Sequence, residues 1–74
     1  MPKFFVQNLS SKTTTIGIEP WADVATLEPN ERAEFEYTEP AEVGFALLDD
    51  GSATVDLVSD QIAVTVKGVR REIV

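Results

Sequence analysis

Glu28-Pro29-Asn30-Glu31-Arg32-Ala33-Glu34-Phe35-Glu36-Tyr37-Thr38 joins the clearest turn in this chain to its clearest strand. Pro29 and Asn30 suit the two central positions of a β-turn, since proline presets the first φ and asparagine tolerates the second. After the turn, Ala33, Phe35 and Tyr37 alternate with glutamates, the period of a strand that buries one face and exposes the other. The segment predicts a strand entered through a tight turn.

The same alternation fills the rest of the chain in short pieces separated by turn-forming residues. It predicts further strands over residues 3–9, 13–19, 24–27, 42–48, 53–58, 61–66 and 69–74. Asp49-Asp50-Gly51-Ser52 and Lys67-Gly68 have the composition of hairpin turns. We therefore predict a single all-β domain over residues 1–74, a small antiparallel sandwich or jelly-roll-like barrel of about seven to eight short strands.

The predicted strand at residues 42–48 differs from its neighbours. Val43, Phe45 and Leu47 lie on one face, and the other face carries Gly44, Ala46 and Leu48. Small and apolar residues on both faces predict either a central strand covered on both sides or a strand that meets a partner.

The charge balance narrows the class of partner. The chain has 74 residues, 13 acidic and 6 basic, with a net charge of −7. Between Glu19 and Asp60 there are twelve acids against one base, Arg32, whereas both ends are basic. This distribution disfavours direct binding of nucleic acid and favours a basic protein partner.

The chain has no histidine and no cysteine, which excludes the usual catalytic triads, thiol nucleophiles and histidine metal sites. Asp49 and Asp50 precede a glycine, but the spaced ligands of a calcium loop are missing, so a turn is favoured. Glu34 and Glu36 lie about 6.5–7 Å apart by strand rise, as paired glycosidase carboxylates do, yet solvated strand faces carry such pairs routinely. We predict no enzyme activity, no cofactor and no metal.

The only tryptophan lies in Glu19-Pro20-Trp21-Ala22-Asp23. In the favoured hypothesis, Trp21 closes one end of the core and its indole N–H bonds to a nearby carbonyl or carboxylate. In the other hypothesis, Trp21 is an exposed ligand platform or interface anchor, with Glu19 and Asp23 supplying charge on either side.

Glu19-Pro20-Trp21-Ala22, followed by Leu27-Glu28-Pro29-Asn30-Glu31-Arg32 and an alternating strand, resembles a group of short uncharacterised bacterial proteins. Those proteins carry an E-P-W segment, then a leucine and a P-G-E-type turn, where Asn30 replaces the glycine in this chain. The resemblance covers residues 4–37 and implies a small bacterial β protein with no assigned activity. The turn is also similar to that of cupin-type jelly rolls, but the histidine ligands of metal-binding cupins have no counterpart here.

Three functions follow from these patterns. The first is a non-catalytic protein-interaction module, for example an acidic inhibitor or immunity-type protein that occludes a basic enzyme site. Its candidate contacts are Glu34, Glu36, Glu39, Asp49 and Asp50, and it requires that these carboxylates gather on one side of the fold. The alternatives are a self-assembling structural subunit, and a binder of small ligands or carbohydrate centred on Trp21.

The N-terminus offers no export signal. Met1-Pro2-Lys3-Phe4-Phe5-Val6 has too short an apolar run for a signal peptide or a spanning helix. We predict a soluble cytoplasmic protein that does not bind membranes.

Overall fold

The computed structural model describes residues 1–74 and contains eight strands and no helix, which confirms the predicted all-β class. The strands begin and end within two residues of the predicted limits. They are β1 (Lys3–Gln7), β2 (Thr14–Glu19), β3 (Asp23–Leu27), β4 (Arg32–Tyr37), β5 (Glu42–Leu47), β6 (Ala53–Val58), β7 (Ile62–Val66) and β8 (Val69–Glu72).

The strands form a small sandwich of two four-stranded sheets. The first sheet has the order β1-β4-β7-β8 and is antiparallel throughout. The second sheet has the order β3-β2-β6-β5, and its central pair, β2 and β6, is parallel. The second sheet is mixed because two separate hairpins, β2–β3 and β5–β6, meet there, and each hairpin fixes only its own strand directions.

The three predicted turns are confirmed by their backbone geometry. The amide of Glu31 donates to the carbonyl of Glu28 at 3.0 Å, and Asn30 has a φ of 70°, as the third residue of a type II turn requires. Lys67 and Gly68 both have positive φ, at 54° and 75°, the pattern of a type I′ hairpin. In the β5–β6 hairpin, Gly51 has a φ of 87°.

The core lies between the sheets and consists of the alternating apolar residues that the sequence pattern marks. Ten buried side chains form it: Ile16, Ile18, Ala25, Leu27, Ala33, Phe35, Val55, Leu57, Ile62 and Val64. Phe4, Val6 and Tyr37 pack against them. Each large apolar side chain buried here contributes roughly 1.5–3 kcal/mol to folding.

Two buried polar residues fasten the segments that cross between the sheets. The side chain of Asn8 donates to the carbonyls of Lys12 at 2.8 Å and Leu27 at 3.0 Å. Just after the last residue of β4, the carbonyl of Thr38 accepts a 2.6 Å hydrogen bond from the hydroxyl of Ser59. Asn8 therefore joins the β1–β2 crossing to the end of β3, and Ser59 joins the β6–β7 crossing to the β4–β5 crossing.

Candidate interaction surface on the second sheet

Trp21 lies in the turn between β2 and β3. Its indole Nε1 donates a 2.7 Å hydrogen bond to the carbonyl of Leu57, just beyond the last β2–β6 pair, Glu19 with Asp56. Pro20 has no amide hydrogen, so the indole supplies the donor at this place. The residue is also 37% exposed. Trp21 thus has the internal partner that the first hypothesis requires and the accessible ring that the second requires.

Asp23 is held by an arginine of the opposite sheet. Arg71 Nη1 donates to its two carboxylate oxygens at 2.9 and 2.8 Å, and Arg71 Nη2 donates to the carbonyl of Val24 at 2.7 Å. The hydrogen bond from Arg71 lowers the pKa of Asp23 from its ordinary value. These bonds close the side of the sandwich between β3 and β8, and they engage the Asp23 carboxylate within the protein.

The five carboxylates predicted to contact a basic enzyme do not share one face. Glu34 and Glu36 lie on β4 in the first sheet, and Glu36 accepts a 3.0 Å hydrogen bond from Arg70. Asp49 and Asp50 lie in the β5–β6 hairpin of the second sheet, where hydrogen bonds from Ser52 lower the pKa of Asp50.

Glu39 is exposed in the β4–β5 crossing. The inhibitor hypothesis required these five carboxylates to gather on one side of the fold. The structure does not bring them together, so this requirement is not met.

The strands nevertheless divide charge sharply between the two sheets. Those of the first sheet carry four bases and three acids: Lys3, Arg32, Arg70 and Arg71, with Glu34, Glu36 and Glu72. Those of the second sheet carry four acids and no base: Glu19, Asp23, Glu42 and Asp56. Six of the twelve acids between Glu19 and Asp60 therefore belong to the second sheet: four on its strands, and Asp49 and Asp50 in the hairpin at its edge.

The strand β5 lies at an edge of the second sheet, so the prediction of a central strand covered on both sides is wrong. Its apolar side chains face inward, because Val43, Phe45 and Leu47 pair with Leu57, Val55 and Ala53 of the core side. They are nevertheless 41%, 63% and 87% exposed, respectively. We call these three residues of β5 the β5 strip.

An aromatic ring of the first sheet contacts the β5 strip. Phe4 of β1 meets Phe45 edge to face, with the ring centroids 5.5 Å apart, and stacks on the buried Phe35 at 4.8 Å. The aromatic contacts run from the core to the surface at this side. The sandwich is therefore open between β1 and β5 and closed by Arg71 between β3 and β8.

The other three edge strands carry features that oppose pairing with another chain. Arg71 occupies the Val24 carbonyl on β3, and β8 itself carries Arg70, Arg71 and Glu72. β1 carries Lys3, and the guanidinium of Arg32 on the neighbouring β4 lies 4.4 Å from the centre of the Phe5 ring of β1. In contrast, β5 has no proline and no basic residue, and its backbone accepts no side-chain hydrogen bond such as the one from Arg71 to β3, so it is the least protected edge.

Sequence reasoning did not select Glu42, Asp56 or the β5 strip as site residues. Asp56 becomes significant only through the register, which places it beside Glu19 on one side and Gly44 on the other. The sequence signal was the small and apolar residues on both faces of residues 42–48. That pattern was compatible with a strand that binds a partner, but it did not show that the strand lies at an edge of a sheet.

Two shallow depressions mark the rest of the surface. One, of about 110 Å³, is lined by Met1, Gln61, Ile62, Ala63, Arg70, Glu72 and Val74. The other, of about 230 Å³, is lined by Glu31, Arg32, Glu34, Thr65, Lys67 and Gly68. Trp21 lines neither depression. No group of three or more Asp and Glu side chains is placed to hold a metal ion.

Comparison of the chain with protein-family models, curated proteins and solved structures found no match. The resemblance of residues 4–37 to short bacterial proteins stays a prediction. No helix in the protein is long and apolar enough to cross a lipid bilayer.

Proposed function

We propose that this protein is a non-catalytic interaction module that binds a basic protein partner through the β5 side of its second sheet. The observation that carries the proposal is an exposed apolar strip on an unprotected edge, within a sheet whose strands carry only acidic charges. Apolar contact supplies affinity at an interface, and complementary charge supplies attraction and selectivity.

The carboxylates around β5 have no basic partner inside the protein. The ion pairs of the structure engage Glu28, Glu31, Glu36 and Asp23 with Lys67, Arg70 and Arg71. Glu39 and Glu42 at the start of β5, Asp49 after its end, and Asp56 on the neighbouring strand form none. A lysine or arginine of a partner therefore meets carboxylates that are free to pair.

Phe45 is the natural anchor of this surface. Aromatic side chains at the centre of an interface dominate its energetics when the partner removes them from water. Phe45 is held in place by Phe4 and still exposes 63% of its surface. A partner can therefore bury it without rearranging the core.

The test is affinity capture from the source cell's lysate with two variants of equal charge change. Glu42→Lys with Asp56→Lys reverses charge on the second sheet, and Glu34→Lys with Glu72→Lys does so on the first. We expect the wild type and the first-sheet variant to retain a basic protein that salt releases, and the second-sheet variant to lose it. Retention by all three proteins, or by none, would overturn the proposal.

Self-assembly is the second candidate, and the composition of β5 favours it. If two copies of β5 paired antiparallel about Phe45, Val43 would oppose Leu47, and no like charges within the strand would meet. Each copy carries a net charge of −7, however, so association must overcome mutual repulsion. Light scattering over a range of concentrations separates the candidates, because a monomer at all concentrations excludes self-assembly.

A further inference from the structure

We infer that the partner contributes an extended segment that joins β5 as the fifth strand of the second sheet, with alternating apolar and basic side chains. This inference rests on the proposed function and adds to it the mode of binding and the sequence character of the bound segment. Its basis is the juxtaposition of a free strand edge, the β5 strip on one face and an unpaired acidic row on the other.

The backbone of β5 supports strand addition. β5 pairs only with β6, through six residues from Glu42 to Leu47. An edge strand leaves alternate amide and carbonyl groups unpaired along its free side. An extended peptide satisfies those groups, and peptide recognition by strand addition uses this arrangement.

The inner face of the second sheet, which carries the β5 strip, requires apolar residues in the added strand. Side chains on neighbouring strands that point to the same face lie about 4.5–5.5 Å apart. Alternate residues of an added strand therefore lie beside Val43, Phe45 and Leu47. They cover the side of Phe45 that Phe4 leaves exposed, so apolar side chains are required at those positions.

The outer face of the second sheet favours basic residues at the alternate positions of the added strand, those that lie between its apolar residues. Across this face the register aligns Gly44, Asp56 and Glu19 on three successive strands. Asp56 and Glu19 are neighbours of like charge with no base paired to either, an unfavourable arrangement in the free protein. A cation bound beside these two carboxylates reduces the repulsion between them.

Gly44 leaves the path to this acidic pair open. Strands lie about 4.8 Å apart, so an added strand lies about 10 Å from β6. A lysine or arginine opposite Gly44 can extend across the glycine, which has no side chain, towards the carboxylate of Asp56. The inference thus places a basic residue opposite Gly44, with apolar residues on either side of it in the sequence.

The probe is a ten-residue fluorescent peptide that alternates valine and lysine. Two comparison peptides have the same composition, one with five lysines followed by five valines and one with alternate backbone amides methylated. We expect the alternating peptide to bind in fluorescence polarisation and the other two to bind at least about tenfold more weakly. Hydrogen exchange should show new protection of amides in β5 and none in β1 or β8.

Gly44→Thr tests the path to Asp56 without loss of the fold. A Cβ added at Gly44 meets only the Cβ of Asp56, at 3.8 Å, and a β-branched residue suits a strand. The matched control is Ala46→Thr, on the same strand and face but opposite Thr54. We expect Gly44→Thr to weaken binding of the alternating peptide about tenfold and Ala46→Thr to change it less than threefold.

The outcomes separate this inference from the proposed function. If methylation has no effect, or if the peptide protects β1 or β8, strand addition at β5 is wrong, while capture of a basic protein by the second sheet still supports the proposed function. If neither peptide nor lysate protein binds, both are wrong. If light scattering shows a dimer, and its β5 amides are protected from hydrogen exchange without peptide, then a second copy of the chain occupies the β5 edge. That result overturns the inference.

Discussion

The indole N–H of Trp21 donates to the carbonyl of Leu57 across 2.7 Å, at the place where Pro20 turns β2 away from β6. The bond makes the tryptophan a part of the second sheet as well as a surface residue. It also ties the β2–β3 turn to the strand that neighbours β5.

Trp21→Phe keeps an aromatic ring and removes the donor. We expect the free energy of unfolding to fall by about 1–2 kcal/mol, because the Leu57 carbonyl loses its partner while the ring still covers part of it. Urea denaturation followed by circular dichroism measures the change. An unaltered midpoint would show that water replaces the indole at no cost.

Asn8→Ala removes the buried side chain that joins Lys12, Leu27 and Ser10. We expect a loss of about 2–3 kcal/mol in the free energy of unfolding, since the buried Leu27 carbonyl loses its donor and the Ser10 amide loses its acceptor, while the Lys12 carbonyl keeps the Ser10 hydroxyl. Gln7→Ala is the control, because Gln7 is exposed and makes one 3.2 Å bond, to Asn30. Equal effects of the two substitutions in urea denaturation would contradict the role of Asn8.

Phe35 and Phe45 belong to one aromatic cluster but differ in burial. Phe35→Ala should cost about 3–5 kcal/mol, a large part of the stability of a domain this small. Phe45→Ala should cost less than about 1 kcal/mol, because most of the ring is in water already. Thermal unfolding measures both, and a Phe45→Ala protein that unfolds as readily as Phe35→Ala would show that the β5 strip supports the core.

The ion pair of Asp23 with Arg71 makes stability depend on pH. The hydrogen bond from Arg71 lowers the pKa of Asp23 in the folded state, so its stabilisation is present above the unfolded pKa of about 3.9 and is lost as pH falls through the folded value. Asp23→Asn should cost less than about 1 kcal/mol at pH 7, since the pair is partly exposed, and less still at pH 3, below the unfolded pKa. Urea denaturation at the two pH values tests this.

Asp60→Asn is the control for the pH experiment, because Asp60 is exposed and forms no ion pair. A cost of Asp23→Asn that is equal at neutral and acid pH would show that shape and not charge is what Asp23 supplies.

The parts of the fold that local chemistry controls were predictable from the sequence. The turn at Pro29 and Asn30, the hairpin at Lys67 and Gly68 and the alternation around Phe35 all depend on residues adjacent in the chain. These local signals also fixed the strand limits closely.

The position of each strand in a sheet was not predictable, because it depends on pairing between distant segments. No local pattern shows that residues 42–47 end a sheet, that β2 runs parallel to β6, or that Asn8 and Ser59 are buried. The candidate site shares this limit. Acidic character was visible in the composition, while the meeting of Glu19, Asp56 and Gly44 on one face came only from the register.

The free edge of β5 is also the kind of surface on which copies of a chain join into fibrils. Carboxylates flank the strand at both ends, with Glu42 on one side and Asp49 and Asp50 on the other, and charges in these positions oppose the close approach of identical copies. The carboxylates that we propose to select a basic partner are therefore also the ones that oppose pairing between copies of the chain.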